Sequence, residues 1–521
     1  VRRRAGLLGL CLVLVTSLVT ACSGGDGDDP VRLRVLAGPD LAVLTPLLDE
    51  LREETGVDLR MEHRPDAETR NPDRGRYDLA WLSSDSYLRL TDKNATRGLQ
   101  RTPTMTSPVV IGLKPEVARQ LRARVPGGRL TWADIADAAA TGGVRFGMAD
   151  PRHAGSGLAA LVGVATAAAG TGAALRPEDV SCDRLRGFRS GQTLTADTGP
   201  ALVDSYADHQ GEADALITYE SDLLALNASG RLDDPLVVVR PEDGMVLADF
   251  PLLLLNPARR TAYDKVTQWL RRDSVQRQIM RHTLRRPVNT TVTRDARLRE
   301  PVGNALFYPD RPAVVETLLT DYGDPARRTT SQVVFLLDFS GSMRGARMAA
   351  LREAFAGLSG ADPSASGKFT RFHRGERLTV VRFGGRVLGE KTVTVTGPKD
   401  LDALAGTVAR GGYGDATAVW SALDHGYRAA ARARAADPDR SVSLVLMTDG
   451  ENNAGLTYAE FVRRHDALPA AVRAAVPTYP LHFGEADAGA LRRAAARTGG
   501  RMVDASDSSL SEAFKEIRGC H

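Results

Sequence analysis

The sequence predicts an α/β protein in two parts, each built from strands alternating with helices. Three observations carry this. Val333-Val334-Phe335-Leu336-Leu337 and, further on, Leu444-Val445-Leu446-Met447 are short, unbroken apolar runs that read as strands buried on both faces. Between them Met348, Leu351, Phe355 and Leu358 recur at helical spacing. Nearer the start, the strand-like Val31 to Ala37 leads into a helical pattern with Leu44, Leu47, Leu48 and Leu51 on one face, and a second strand begins at Val57.

The late strands are the more informative ones. Val333 to Leu337 runs into Asp338-Phe339-Ser340-Gly341-Ser342, where Gly341 breaks the strand into a loop. Leu444 to Met447 runs into Thr448-Asp449-Gly450, and Gly411-Gly412-Tyr413-Gly414-Asp415-Ala416-Thr417 is a glycine-rich loop between the two. Carboxylates and hydroxyls at strand ends, without nitrogen or sulfur, suit hard cations such as Mg²⁺ or Mn²⁺ rather than zinc or copper. Further strands are expected at Arg377 to Phe383, Tyr479 to Phe483 and Arg501 to Val503, with a closing helix striped by Leu510, Phe514 and Ile517.

Asp338, Ser340, Ser342, Thr417 and Asp449, in this order, resemble the metal-ion-dependent adhesion site of von Willebrand factor type A domains. The resemblance spans residues 331–518 and implies a Rossmann-like doubly wound sheet, with a divalent ion that grips an acidic residue of a protein partner. One departure is local: the family's threonine loop usually reads Gly-Gly-Thr, whereas Asp415-Ala416 precede Thr417 here.

Arg2-Arg3-Arg4, an apolar stretch from Leu7 to Val19, and Thr20-Ala21-Cys22 have the layout of a secretory signal over residues 1–21. The apolar stretch, about 13 residues, is too short to span a bilayer unaided. Leu18 to Cys22 resembles a bacterial lipobox, which implies a lipid on Cys22, a tether over residues 22–30 and a place on the outer face of the cell membrane. The chain has 68 Lys and Arg against 64 Asp and Glu. Without the three signal arginines it is close to neutral, which gives no support to nucleic-acid binding. Cys182 and Cys520 remain in a compartment that permits disulfides, either as a bridge between the two parts or as two free thiols.

Residues 31–322 are long enough for a two-lobed domain with its own core. Tyr77 to Leu82 running into Ser83-Ser84, Thr106 to Gly112, Thr131-Trp132-Ala133-Asp134-Ile135, Asp150 to Gly157 before an alanine-rich helix, Ile217 to Glu220 and Pro251 to Leu255 follow one another in the order of bacterial extracellular solute-binding proteins, which this part resembles. Gly155, Ser156 and Gly157 stand at a helix start, where free N–H groups and a hydroxyl can meet an anion. The resemblance places Ser83 and Ser84 across from them and Tyr219 as a wall, for a small anionic or polar solute. Residues 323–330 read as the linker.

These readings lead to one expectation, a lipid-anchored, outward-facing binding protein without enzymatic activity. The alternative is solute capture for an ABC-type transporter or sensor, with the metal-site domain as an accessory.

Overall fold

The structure, a computed structural model, describes residues 30–180, 184–324, 331–506 and 508–519. The signal segment, Cys22, Cys182 and Cys520, and residues 325–330 of the linker lie outside the described residues. The first lobe is a five-stranded sheet in the order Val57–His63, Val31–Ala37, Leu79–Trp81, Pro251–Leu254 and Arg101–Pro103. Its first three strands run parallel and its last two antiparallel to their neighbours. The helical stretch after the first strand is a 3-10 helix over Pro39–Leu47 continuing as an α-helix over Leu48–Thr55. Leu41, Leu44 and Leu47 are buried at a spacing of three, as a 3-10 helix requires, while Leu48 is only half-buried.

The second lobe is a seven-stranded sheet centred on Met105–Leu113, which carries Ala215–Tyr219, Leu247–Ala248, Val237–Val239 and Arg286–Pro287 on its edges. The chain passes between lobes at Thr104, at Asp249-Phe250 and at Leu284-Arg285. Phe250 and Leu284 are the two non-glycine residues with positive φ among the described residues, 41° and 54°. Strained backbone is thus concentrated where one lobe must turn against the other.

The third sheet has six strands, in the order Val387–Thr394, Arg377–Phe383, Ser331–Asp338, Ser441–Thr448, Thr478–His482 and Val503–Asp504. All neighbours are parallel except the first pair. Every residue of Ser331–Asp338 is buried, because Val333, Phe335 and Leu337 pack into one apolar layer and Val334 and Leu336 into the other. Helices cover both faces, as a parallel sheet requires. The last two strands sit one to two residues away from the expected Tyr479 to Phe483 and Arg501 to Val503. The expected helix ends at Ala356, and Leu358 is buried from a wider turn over Gly357–Ala361.

Helix Ala365–Thr370 of this domain docks on the second lobe. Lys368 Nζ lies 2.6 Å from Asp134 Oδ1, Arg371 pairs with Asp137, and the Arg374 N–H donates to Ala140 O at 2.7 Å. Phe369 is buried within the apolar core of the two-lobed domain.

Candidate functional site

Parallel register sets Leu337 beside Met447, so Asp338 and Thr448 stand level and Asp449 lies one residue beyond, at the carboxyl edge of the sheet. Asp338 is fully buried. Its Oδ1 accepts the Ser340 N–H at 2.8 Å and its Oδ2 accepts the Thr448 hydroxyl at 2.7 Å. The Ser340 and Ser342 oxygens are 3.0 Å apart, and Ser342 donates to Asp449 Oδ1 at 2.9 Å. Since a hydroxyl has a single proton, Ser340 is the donor to Ser342. Arg347, at the start of the helix that follows, pairs with Oδ2 of Asp449.

Thr417 is brought to the same place by a backbone crossing. The Gly414 N–H donates to Phe339 O at 2.8 Å, and a β-carbon on Gly384 would stand 2.8 Å from Gly414 Cα, so both crossing positions need glycine. Asn453 braces the threonine: its Oδ1 accepts the Thr417 N–H at 2.8 Å and its own N–H donates to Thr417 O at 3.0 Å. A β-carbon on Gly450 would lie 3.7 Å from Thr417 Oγ1 and 4.0 Å from Ser342 Oγ. Three loops therefore meet over Gly450. Asp415, which breaks the usual loop pattern, is exposed.

Burial pushes the Asp338 carboxyl up to about 6, against the hydrogen bonds from Thr448 and Ser340, and the neighbouring Asp449 pushes it further in the same direction. Arg347 offsets Asp449 alone, so the buried Asp338 carboxyl, facing a second carboxylate and neutral hydroxyls, has no cationic partner of its own. Together with an all-oxygen donor set, this fits Mg²⁺ or Mn²⁺ held by Asp338, Ser340, Ser342, Thr417 and Asp449.

The cleft between the first two lobes has a volume of about 310 Å³ and is lined in part by Ser83, Ser84, Gly155, Tyr219, Asp66 and Tyr308. Four of the expected residues therefore share it. Two others do different work. A β-carbon on Gly157 would sit 2.1 Å from Ala149 O, so this glycine allows the helix to pack. Ser156 is buried to 1% exposure behind the cleft wall. Ser84 lines the cleft but also accepts the Ser86 N–H at 3.2 Å, the turn-capping role common to serine. The Gly155 N–H expected to meet an anion is not free: it donates to Asp66 Oδ2 at 2.6 Å, a carboxylate from the opposite lobe. Elsewhere Asp150, His153 and Asp197 bring ligand atoms within 4.8 Å of one another, but Asp150 is already held through two of its oxygens by Arg152.

Two strand-end aspartates, two serines and a loop threonine are thus gathered at one sheet edge. Residues 332–517 match the von Willebrand factor type A domain. Residues 33–282 match the bacterial extracellular solute-binding proteins. Among solved structures, a periplasmic thiamin binding protein is 14% identical, over 57% of this chain and 96% of its own, with a TM-score of 0.43. The periplasmic binding protein AfuA from Actinobacillus pleuropneumoniae is also 14% identical, over 56% and 97%, with a TM-score of 0.40. A von Willebrand factor type A protein from Catenulispora acidiphila is 21% identical, over 36% of this chain and 42% of its own, with a TM-score of 0.29. No curated protein sequence matches the chain.

Sequence reasoning missed Thr448, Asn453 and Arg347 in the type A domain and Asp66 in the cleft. Thr448 had a signal, since it precedes Asp449 at the strand end. Asp66 had none, because its partner Gly155 is 89 residues away in another lobe.

Proposed function

We propose that this is a lipid-anchored binding protein of the extracytoplasmic face of a cell membrane. Its type A domain, residues 331–518, grips an acidic group of a protein partner through Mg²⁺ or Mn²⁺, and its two-lobed domain, residues 31–322, takes a small solute. The observation that carries the reading is the convergence of Ser340, Ser342 and Asp449 oxygens in one chain of contacts of 2.9–3.0 Å, beside buried Asp338. Both matched families are binding domains, which supports a role in binding rather than catalysis.

Ser340, Ser342 and Thr417 would supply neutral oxygens, while Asp338 and Asp449 would offset the ion's charge directly or through water. Thr448 and the Ser340 N–H hold the Asp338 carboxylate in one orientation. A bound divalent ion offers exchangeable positions that a partner's carboxylate can fill. Similarity to periplasmic binding proteins supports the outer location, and a lipid on Cys22 accounts for attachment. Among the described residues no helix is long and apolar enough to cross a membrane.

The inter-lobe cleft supports a second reading, solute capture for an ABC-type transporter or sensor with the type A domain as an accessory. A pull-down from membranes, with and without chelator, separates the two. Partners lost on chelation support the metal bridge, whereas a permease retained regardless of chelator supports the second reading.

A further inference from the structure

The two lobes face each other across three carboxylates. Asp40 and Asp66 come from the first lobe, each just after a strand, and Asp222 from the first turn of helix Glu220–Ala228 in the second. Asp66 takes the N–H of Gly155. Asp222 accepts from the Ser221 hydroxyl at 3.2 Å and the Thr218 hydroxyl at 3.3 Å. Asp40 is different: it is 5% exposed, and its Oδ1 has no hydrogen-bond partner. Ser156, 1% exposed, has an equally unpartnered hydroxyl. These two atoms and Asp222 Oδ2 all point to one spot, since a β-carbon on Gly199 would lie 2.9, 3.4 and 3.8 Å from Asp40 Oδ1, Ser156 Oγ and Asp222 Oδ2.

Positive charge in this region is already engaged. Arg285 donates to the backbone oxygen of Asp40 at 2.6 Å and lies 4.0 Å over the ring of Phe250. Arg70 donates to Pro151 O at 2.9 Å and lies over Tyr87. Arg89 and Arg101, which also line the cleft, pair with Asp85, and Arg101 with Asp249 as well, so that Arg70 and Arg285 are left to meet the three carboxyl groups. Burial pushes Asp66 up to about 6 and Asp40 well above the ordinary carboxylate value, in the latter case with Asp66 and Asp222 adding to the effect. A buried carboxylate with an orphaned oxygen is costly unless a cation or a proton meets it.

An oxyanion would enter against Asp66, with the carboxyl groups of Asp40 and Asp222 behind it, and find the helix N–H at Gly155 already taken. A single metal ion does not fit either, because these carboxylates are not among the groups whose ligand atoms gather within 4.8 Å. A broader cation does fit. The adjoining cleft is walled by Asp66 and the aromatic rings of Tyr219 and Tyr308, and by Asp249 and the guanidiniums of Arg70, Arg89 and Arg101. Arg70 covers Tyr87, which leaves the faces of the other two rings to attract an organic cation.

We infer that the inter-lobe cleft takes a small organic cation bearing an ammonium group, its charge met by Asp66 with Asp40 and Asp222 behind it and its apolar part lying on Tyr219 and Tyr308. The inference rests on the reading of the two-lobed domain as a solute site and names the class of solute. It replaces the anion that the helix start at Gly155 suggested.

The test is thermal melting and calorimetric titration of the full chain with choline, spermidine, inorganic phosphate and sulfate, using wild type, Asp40→Asn and Asp66→Asn. The expected result is that choline or spermidine raises the wild-type melting temperature, phosphate and sulfate do not, and each Asn variant weakens binding at least tenfold. Stabilisation by phosphate or sulfate alone overturns the cation but leaves the solute site standing. No response to any of the four overturns both. Ammonium binding undiminished in folded Asn variants overturns the assigned residues, and if those variants do not fold the wild-type contrast between cations and anions still decides.

Discussion

Arg347 and Asp449 form an ion pair at the carboxyl edge of the third sheet, with the carboxylate fully buried and the arginine 39% exposed on its side chain. The pair leaves Asp449 Oδ1 to Ser342 and takes Oδ2 for the guanidinium. A resident positive charge on a carboxylate proposed to hold the ion opposes an incoming cation, so Arg347→Ala is expected to tighten Mg²⁺ or Mn²⁺ binding. With its guanidinium partly in solvent and its carboxylate buried, the pair contributes on the order of 1 kcal/mol, roughly fivefold in affinity. Titration of Mn²⁺ by electron paramagnetic resonance checks this, and weaker binding in the variant would show that Arg347 helps the site instead.

Asp338→Ala is expected to abolish metal-dependent partner binding, and chelator should reproduce the loss on wild type. Thr417→Ala should weaken binding less. Because Asp338 is buried and accepts two hydrogen bonds, its removal takes the acceptor from the Ser340 N–H and costs about 1–3 kcal/mol of stability. Asp338→Asn keeps the shape and separates the two effects. Partner capture that persists in excess chelator would sink the metal bridge.

Phe369 ties the type A domain to the second lobe. Truncating a buried phenylalanine costs about 3–5 kcal/mol, and Phe369→Ala with Lys368→Ala removes both the apolar and the charged part of the contact. Calorimetry should then resolve two melting transitions in place of a coupled one. An unchanged melting profile would mean that the domains never stabilised each other.

Glu376 is fully buried, with Arg518 of the closing helix 2.9 Å away and the His373 N–H donating to it at 3.2 Å. Burial alone would raise its carboxyl, but the charges of Arg518 and His373 outweigh that and hold it at about 2. A folded-state value below the unfolded one stabilises above the unfolded value, near 4.5, and the contribution fades as pH falls from there towards 2. Glu376→Gln should therefore lower the melting temperature at neutral pH and flatten its fall between about pH 4.5 and 2. Breaking a buried pair typically costs about 3–5 kcal/mol, so a variant as stable as wild type at pH 7 would refute the role.

Cys22→Ser should release the protein from membranes into the soluble fraction. Detergent partitioning of wild type and variant is the measurement, and a variant that stays membrane-bound rules out the lipid.

Features that depend on neighbouring residues could be read from the chain alone. An apolar run long enough for one strand, ended by Asp-x-Ser-x-Ser or Thr-Asp-Gly, marks both the sheet and its ligand edge, because strand ends and their loops are continuous in the chain. Ser331–Asp338 and the gathering of Asp338, Ser340, Ser342 and Asp449 at one sheet edge were legible for that reason. The buried period of three in Pro39–Leu47 was not, since leucines spaced three and four apart suit an α-helix as well as a 3-10 helix. The tertiary structure alone decided whatever depends on distant charges. Gly155 looks like an anion site until Asp66 arrives from the other lobe, and Lys368, in a glycine-and-serine stretch, proves to be an anchor for Asp134. Electrostatic partners are chosen by distance in space, and in a chain that crosses between lobes three times that distance is unrelated to separation along the sequence.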